Sequence, residues 1–170
     1  MEKTLMTTKI LIPLFVVALS VLPLFLYLNN CRFMQRFYWR MVFLHNARRL
    51  YTLLLVLVLL VINATLYVSM NVIISLLMMT VVLALSSYRT MAKTLRLLQY
   101  RRRIFGLLTV AAAALIVVPG CLCIGLTLAS LLLGAFFFPS ARVLELSETE
   151  EYGARMLLQP DIIVREYYFI

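Results

Sequence analysis

The residues able to do chemistry are few and far apart. The single histidine, His45, sits among Arg40, Arg48 and Arg49, and no aspartate or glutamate occurs between Lys3 and Leu144. General acid–base catalysis needs a base poised beside its substrate proton, and nucleophilic catalysis needs a second group to activate the nucleophile. Neither arrangement can be assembled from these positions. Cys31, Cys121 and Cys123 lack the number and spacing of a disulfide framework or a tetrahedral zinc site, and no Gly-rich phosphate loop is present. The sequence therefore leads us to expect no enzyme and no catalytic, metal-binding or cofactor-binding residue.

What the chain has instead is apolar length. Three stretches carry no charge at all, Ile10–Cys31, Leu50–Tyr88 and Ile104–Ala141, of 22, 39 and 38 residues, and they cover 99 of 170 positions. Mean hydropathy is +1.00, and 64% of residues are apolar, against roughly half in soluble domains. A charge at the bilayer centre costs roughly 2.5–3.5 kcal/mol on insertion scales, and about 20 apolar helical residues cross the hydrocarbon layer. The pattern is that of an all-α membrane protein.

The two longer stretches are too long for one crossing. A helix of 39 residues would measure about 58 Å at about 1.5 Å per residue, nearly twice the hydrocarbon thickness of about 30 Å. Asn63, Thr65, Ser69 and Asn71 punctuate the middle of the first, which predicts a turn near 67–71. Pro119-Gly120 interrupts the second and suits the two central positions of a type II turn. Five spans result, near 10–28, 50–66, 72–88, 104–118 and 121–138: one N-terminal span and two helical hairpins. The first span resembles a secretion signal, but its apolar run is too long and asparagines follow it. Asn63-Ala64-Thr65 matches a glycosylation acceptor, yet lies within an apolar run and is expected to be unused.

Charge supports the hairpins independently. If both stretches double back, Arg32, Arg36, Arg40, Arg48 and Arg49 share one face with Arg89, Lys93, Arg96, Arg101, Arg102 and Arg103, while the opposite turns carry no charge. That is strong positive-inside bias, and it places the N-terminus outside and the C-terminus in the cytoplasm. These eleven cations are expected at the membrane surface beside anionic headgroups. Both basic segments are amphipathic at helical spacing. Phe33, Phe37, Met41 and Leu44 oppose the arginines of the first, and Met91, Leu95 and Leu98 oppose those of the second. A faint repeat links Arg48–Leu54 to Arg102–Leu108.

Gly125, Ala129, Ser130 and Gly134 stand at helix-packing spacing in the last span, where small residues let helices approach closely in lipid. Residues 1–141 thus form a transmembrane domain, and 142–170 form a cytoplasmic tail holding six of the seven acids. In that tail, Ser147-Glu148-Thr149-Glu150 reads as a capping box that opens a short helix closed before Pro160. The run after Asp161 is rich in β-branched and aromatic residues and reads as a strand. An isolated strand is unstable in water, so Ile162, Val164, Tyr167, Tyr168, Phe169 and Ile170 are expected to dock on a protein partner.

These features lead us to expect a non-enzymatic multi-pass subunit that anchors or scaffolds a larger bacterial inner-membrane assembly, such as a secretion or conjugation apparatus. Its partners would be the bilayer, other membrane or cytoplasmic subunits and a second copy of the chain, with no nucleic acid. A small channel or transporter component is the alternative, and a membrane immunity protein against a toxin the second alternative.

Overall fold

The structure, a computed structural model, describes residues 32–66, 72–100, 102–118, 120–158, 162, 163 and 167. The span expected near 10–28, the turn at 67–71, Arg101, Val164, Tyr168, Phe169 and Ile170 lie outside the described residues. Eight helices follow in order among the described residues: α1 Arg32–Phe43, α2 His45–Leu66, α3 Val72–Ala84, α4 Tyr88–Tyr100, α5 Arg102–Val117, α6 Leu122–Phe137, α7 Ala141–Glu148 and α8 Glu150–Leu158. The described residues contain no strand.

Both long apolar stretches double back. The guanidinium of Arg49, early in α2, lies 5.9 Å from the ring of Tyr88, beyond the end of α3, so the two ends of Leu50–Tyr88 meet. In the second stretch Cys121 donates its N–H to the Val118 carbonyl at 3.1 Å, and Gly120 has φ +87°. That is the left-handed backbone a type II turn requires at its third residue, which glycine adopts without a Cβ clash. At the far end of the hairpin Phe105 and Phe136 meet edge to face, 4.8 Å between centroids. An amphipathic helix precedes each hairpin, α1 before α2–α3 and α4 before α5–α6.

The central element is α6, packed against α2, α4 and α5. Its glycines set two of those distances. A Cβ on Gly125 would lie 2.8 Å from the Ile116 backbone nitrogen and 3.0 Å from the Ala112 carbonyl of α5, whereas one on Gly134 would meet the Leu55 side chain of α2 at 2.5 Å. Ser130 is buried between them, and Ala129 is half-buried against the core. The packing face expected in the last span therefore faces two helices of this same chain.

The amphipathic helices present slightly different faces from those read in the sequence. In α4, Met91, Leu95 and Leu98 are buried as expected. In α1 the buried face is Met34, Tyr38, Met41 and Val42, while Phe33 is 72% and Leu44 46% exposed. Hydrophobicity alone selects an arc of α1, and the neighbouring helices select the side chains within it.

The tail departs further from expectation. Ser147 does not cap a helix; it lies within α7 and donates to the Leu144 carbonyl at 2.7 Å, and the chain breaks instead at Thr149, whose φ −78° and ψ 123° are extended. The cap that does form is one helix earlier, where the Ser140 hydroxyl accepts from the Val143 N–H. Gly153 lets α8 fold tightly onto α7, since a Cβ there would sit 2.8 Å from the Ser147 carbonyl. The described part of α8 runs to Leu158, and the expected closure at Pro160 lies outside the described residues. The expected strand does not form: Ile162, Ile163 and Tyr167 are helical, and Ile163 and Tyr167 are buried in the same core as Tyr38, Phe138 and Met156. Burial against the chain's own helices outweighs their β propensity.

Among the described residues two helical segments are long and apolar enough to cross a membrane, His45–Leu66 and Leu122–Glu148, the second interrupted where α6 gives way to α7. They are used differently. In the most apolar window of the first only 28% of residues are buried, against 67% in the second. On α2, Leu50, Leu53, Leu57 and Val61 are exposed, as are Ile73, Leu76 and Leu77 on α3 and Leu107, Val110 and Val117 on α5. Soluble monomers rarely expose apolar patches beyond a few hundred Å².

Candidate functional site at the end of α6

Where α6 stops, the chain faces a shortage of donors. The last carbonyls of a helix have no intrahelical partner, and Pro139 has no N–H to give Ala135. Phe138 turns extended (φ −84°, ψ 139°) and donates to Ala135 instead of Gly134. Three distant side chains fill the gap. The Tyr51 hydroxyl of α2 donates to the Gly134 carbonyl at 2.9 Å, and the Gln99 amide of α4 donates to the carbonyls of Ala135 and Phe138. The Tyr167 hydroxyl donates to the Phe137 carbonyl at 2.8 Å. Three elements, α2, α4 and the tail, are thus tied to one helix terminus.

Aromatic contacts complete this socket. Tyr167 lies 4.4 Å from the Tyr38 ring of α1, and Phe37 meets Tyr51 and Phe137 edge on at 6.2 and 6.4 Å. Burial, then the nearby phenols of Tyr51 and Tyr38, hold the Tyr167 phenol well above the usual tyrosine value against the opposing pull of Arg48. It is a permanent donor at physiological pH. Tyr167, expected to face a partner, is therefore engaged inside its own chain, and Ile162 is half-buried against the same core.

The basic residues ring this end of the bundle. Arg32, Arg36, Arg40, Arg49, Arg89, Lys93 and Arg103 are exposed. Arg48 and Arg96 are half-buried, and the Nε of each is buried with no hydrogen bond. Arg96 lies 6.0 Å from the ring of Phe138, whose other neighbour is Tyr51, at 6.2 Å. His45 is exposed and touches the Tyr88 ring at 5.2 Å. Partial desolvation, then the charges of Arg49 and Arg48, lower its pKa. Among the described residues no group of three or more His, Cys, Asp or Glu is placed to hold a metal ion.

A second polar cluster lies within the bundle. Asn63 of α2 donates to its own helix at Leu59 (2.8 Å) and to Thr127 of α6 (3.4 Å), and accepts from the Cys123 thiol at 3.1 Å. Asn63, Cys123 and Thr127 are all buried, so this asparagine is a clamp between α2 and α6, closed to glycosylation. Thr80 of α3 is exposed and donates to the Leu77 carbonyl of its own helix.

Sequence reasoning reached the arginines and the small residues but missed Tyr51, Gln99 and Asn63 as interhelical ligands. The available signal was Pro139 at the end of an apolar helix, which demands outside donors. No protein-family model, curated protein or solved structure matches this chain.

Proposed function

We propose that the protein is a non-enzymatic, multi-pass membrane subunit that anchors or scaffolds a larger inner-membrane assembly. In this reading the five spans near 10–28, 50–66, 72–88, 104–118 and 121–138 cross the bilayer, with the N-terminus outside and the arginine-ringed end in the cytoplasm. The observation that carries it is the exposed apolar surface of α2, α3 and α5, continuous in sequence with segments whose charges from Arg32 to Arg103 are all basic. Lipid is the solvent such a surface requires.

The scaffold role rests on the tail. With Tyr167 and Ile163 anchoring it to the bundle, α7 and α8 form a fixed platform whose outer side carries Glu145, Glu148, Glu151, Tyr152 and Leu158, all exposed. Leu158 is 82% exposed, and a rigid platform binds with little ordering cost. Purification of the full chain in mild detergent tests this reading. Specific, stoichiometric co-purifying subunits that are lost in a Tyr152→Ala/Leu158→Ala variant are the expected result, and a chain that purifies alone from native membranes contradicts it.

A further inference from the structure

Arg48 and Arg96 differ from the other arginines, and we infer that together they seat the headgroup of an anionic phospholipid against the end of α6. This inference rests on the membrane reading above and deepens it. The starting point is charge. Between Lys3 and Leu144 the chain has no carboxylate, and among the described residues the ion pair is Arg155–Glu151, in the tail. Among the described residues, the half-buried guanidinium groups of Arg48 and Arg96 have no carboxylate partner.

The main-chain carbonyls nearby are already taken. The carbonyls at the end of α6, which carry its partial negative charge, accept from the neutral donors Tyr51, Gln99 and Tyr167. Arg96 is held over the Phe138 ring and makes no hydrogen bond through its buried Nε; the Nε of Arg48, one helical turn before Tyr51, is buried and unbonded as well. Each guanidinium thus keeps an unused Nε donor, and the planar N–H array of an arginine suits phosphate oxygens. The apolar sides of α2, with Leu50, Leu53 and Leu57 exposed, give the acyl chains of the same lipid a path along the bundle. A free anion would have no use for that path, which is why the assignment is to a lipid.

The test uses the full chain in detergent, with dioleoylphosphatidylglycerol and dioleoylphosphatidylcholine as probes and lipid retention read by native mass spectrometry. The parent is expected to retain the anionic lipid in preference to the zwitterionic one. Arg48→Gln/Arg96→Gln should weaken that retention about thirtyfold, from about fivefold per cation near an anionic surface. Arg32→Gln/Arg36→Gln, on the exposed face of α1, should leave it unchanged. If the glutamine pair misfolds, the single variants Arg48→Gln and Arg96→Gln take its place, and each should weaken retention about fivefold. Equal retention of both lipids, equal loss in the α1 pair, or full displacement of the lipid by an equal concentration of inorganic phosphate would each overturn the inference. Alkaline extraction of native membranes separates this from the broader reading. A chain released as soluble defeats the membrane assignment, whereas a chain that stays embedded yet shows no lipid preference defeats only the Arg48–Arg96 seat.

Discussion

Tyr167 donates its hydroxyl to the Phe137 carbonyl at 2.8 Å, across 30 positions of sequence, so the tail finishes a helix that the chain left incomplete at Pro139. Tyr167→Phe keeps the ring against Tyr38 and removes only the donor. Loss of one hydrogen bond costs about 0.5–1.5 kcal/mol, and the thermal midpoint of the variant in mild detergent should fall accordingly. Deletion of Asp161–Ile170 also removes the fully buried Ile163 and should cost more than the point substitution. A truncated chain as stable as the parent would show that the tail does not hold the end of α6.

The glycines of α6 and α5 predict an order of effects. Gly125→Ala meets the backbone of α5 at Ile116 and Ala112, whereas Gly134→Ala meets only the flexible end of Leu55, and Gly106 has nothing within 4 Å. Overpacking costs about 1–3 kcal/mol, so Gly125→Ala should be the most destabilising and Gly134→Ala milder. Gly106→Ala should be neutral or stabilising by up to about 1 kcal/mol. Thermal unfolding of the three variants checks the ranking, and a Gly125→Ala as stable as Gly106→Ala would mean that α5 and α6 do not approach as described.

The hairpins were legible in the sequence for a physical reason. Positive charge is costly to move across a bilayer, so Arg48-Arg49 and Arg89 flanking an uncharged run already implied that its ends meet, as Arg49 and Tyr88 do. Pro119-Gly120 announced its own turn. The face of α1 and the fate of the tail were not legible. In a chain this apolar, exposure to lipid and burial in protein select the same residue types, so Phe33 and Met34 look alike in sequence and end on opposite sides. The socket was hidden because its ligands are separated by 83, 36 and 30 residues from the carbonyls they serve.

The clamp at Asn63 should behave as an interhelical hydrogen bond in lipid. Such bonds average about 0.6 kcal/mol and reach about 1.7. A double-mutant cycle of Asn63→Ala and Thr127→Ala should return a favourable coupling in that range. Zero coupling would place Asn63 outside the α2–α6 contact.

His45 touches the Tyr88 ring, and partial desolvation with the charges of Arg49 and Arg48 lowers its pKa. His45→Ala should leave insertion, assembly and any cellular phenotype of the protein intact, measured by complementation of a deletion strain. A normally inserted variant that loses the phenotype would reopen a catalytic reading.

The central claim is that two hairpins return both arginine segments to one side of a membrane. Single cysteines introduced at Met70 and Arg103, in a background lacking Cys31, Cys121 and Cys123, test it most directly with a membrane-impermeant thiol reagent applied to intact cells. The account predicts that Met70→Cys is labelled from outside and that Arg103→Cys is labelled only after the membrane is permeabilised. Labelling of Arg103→Cys in intact cells, with Met70→Cys protected, would contradict it.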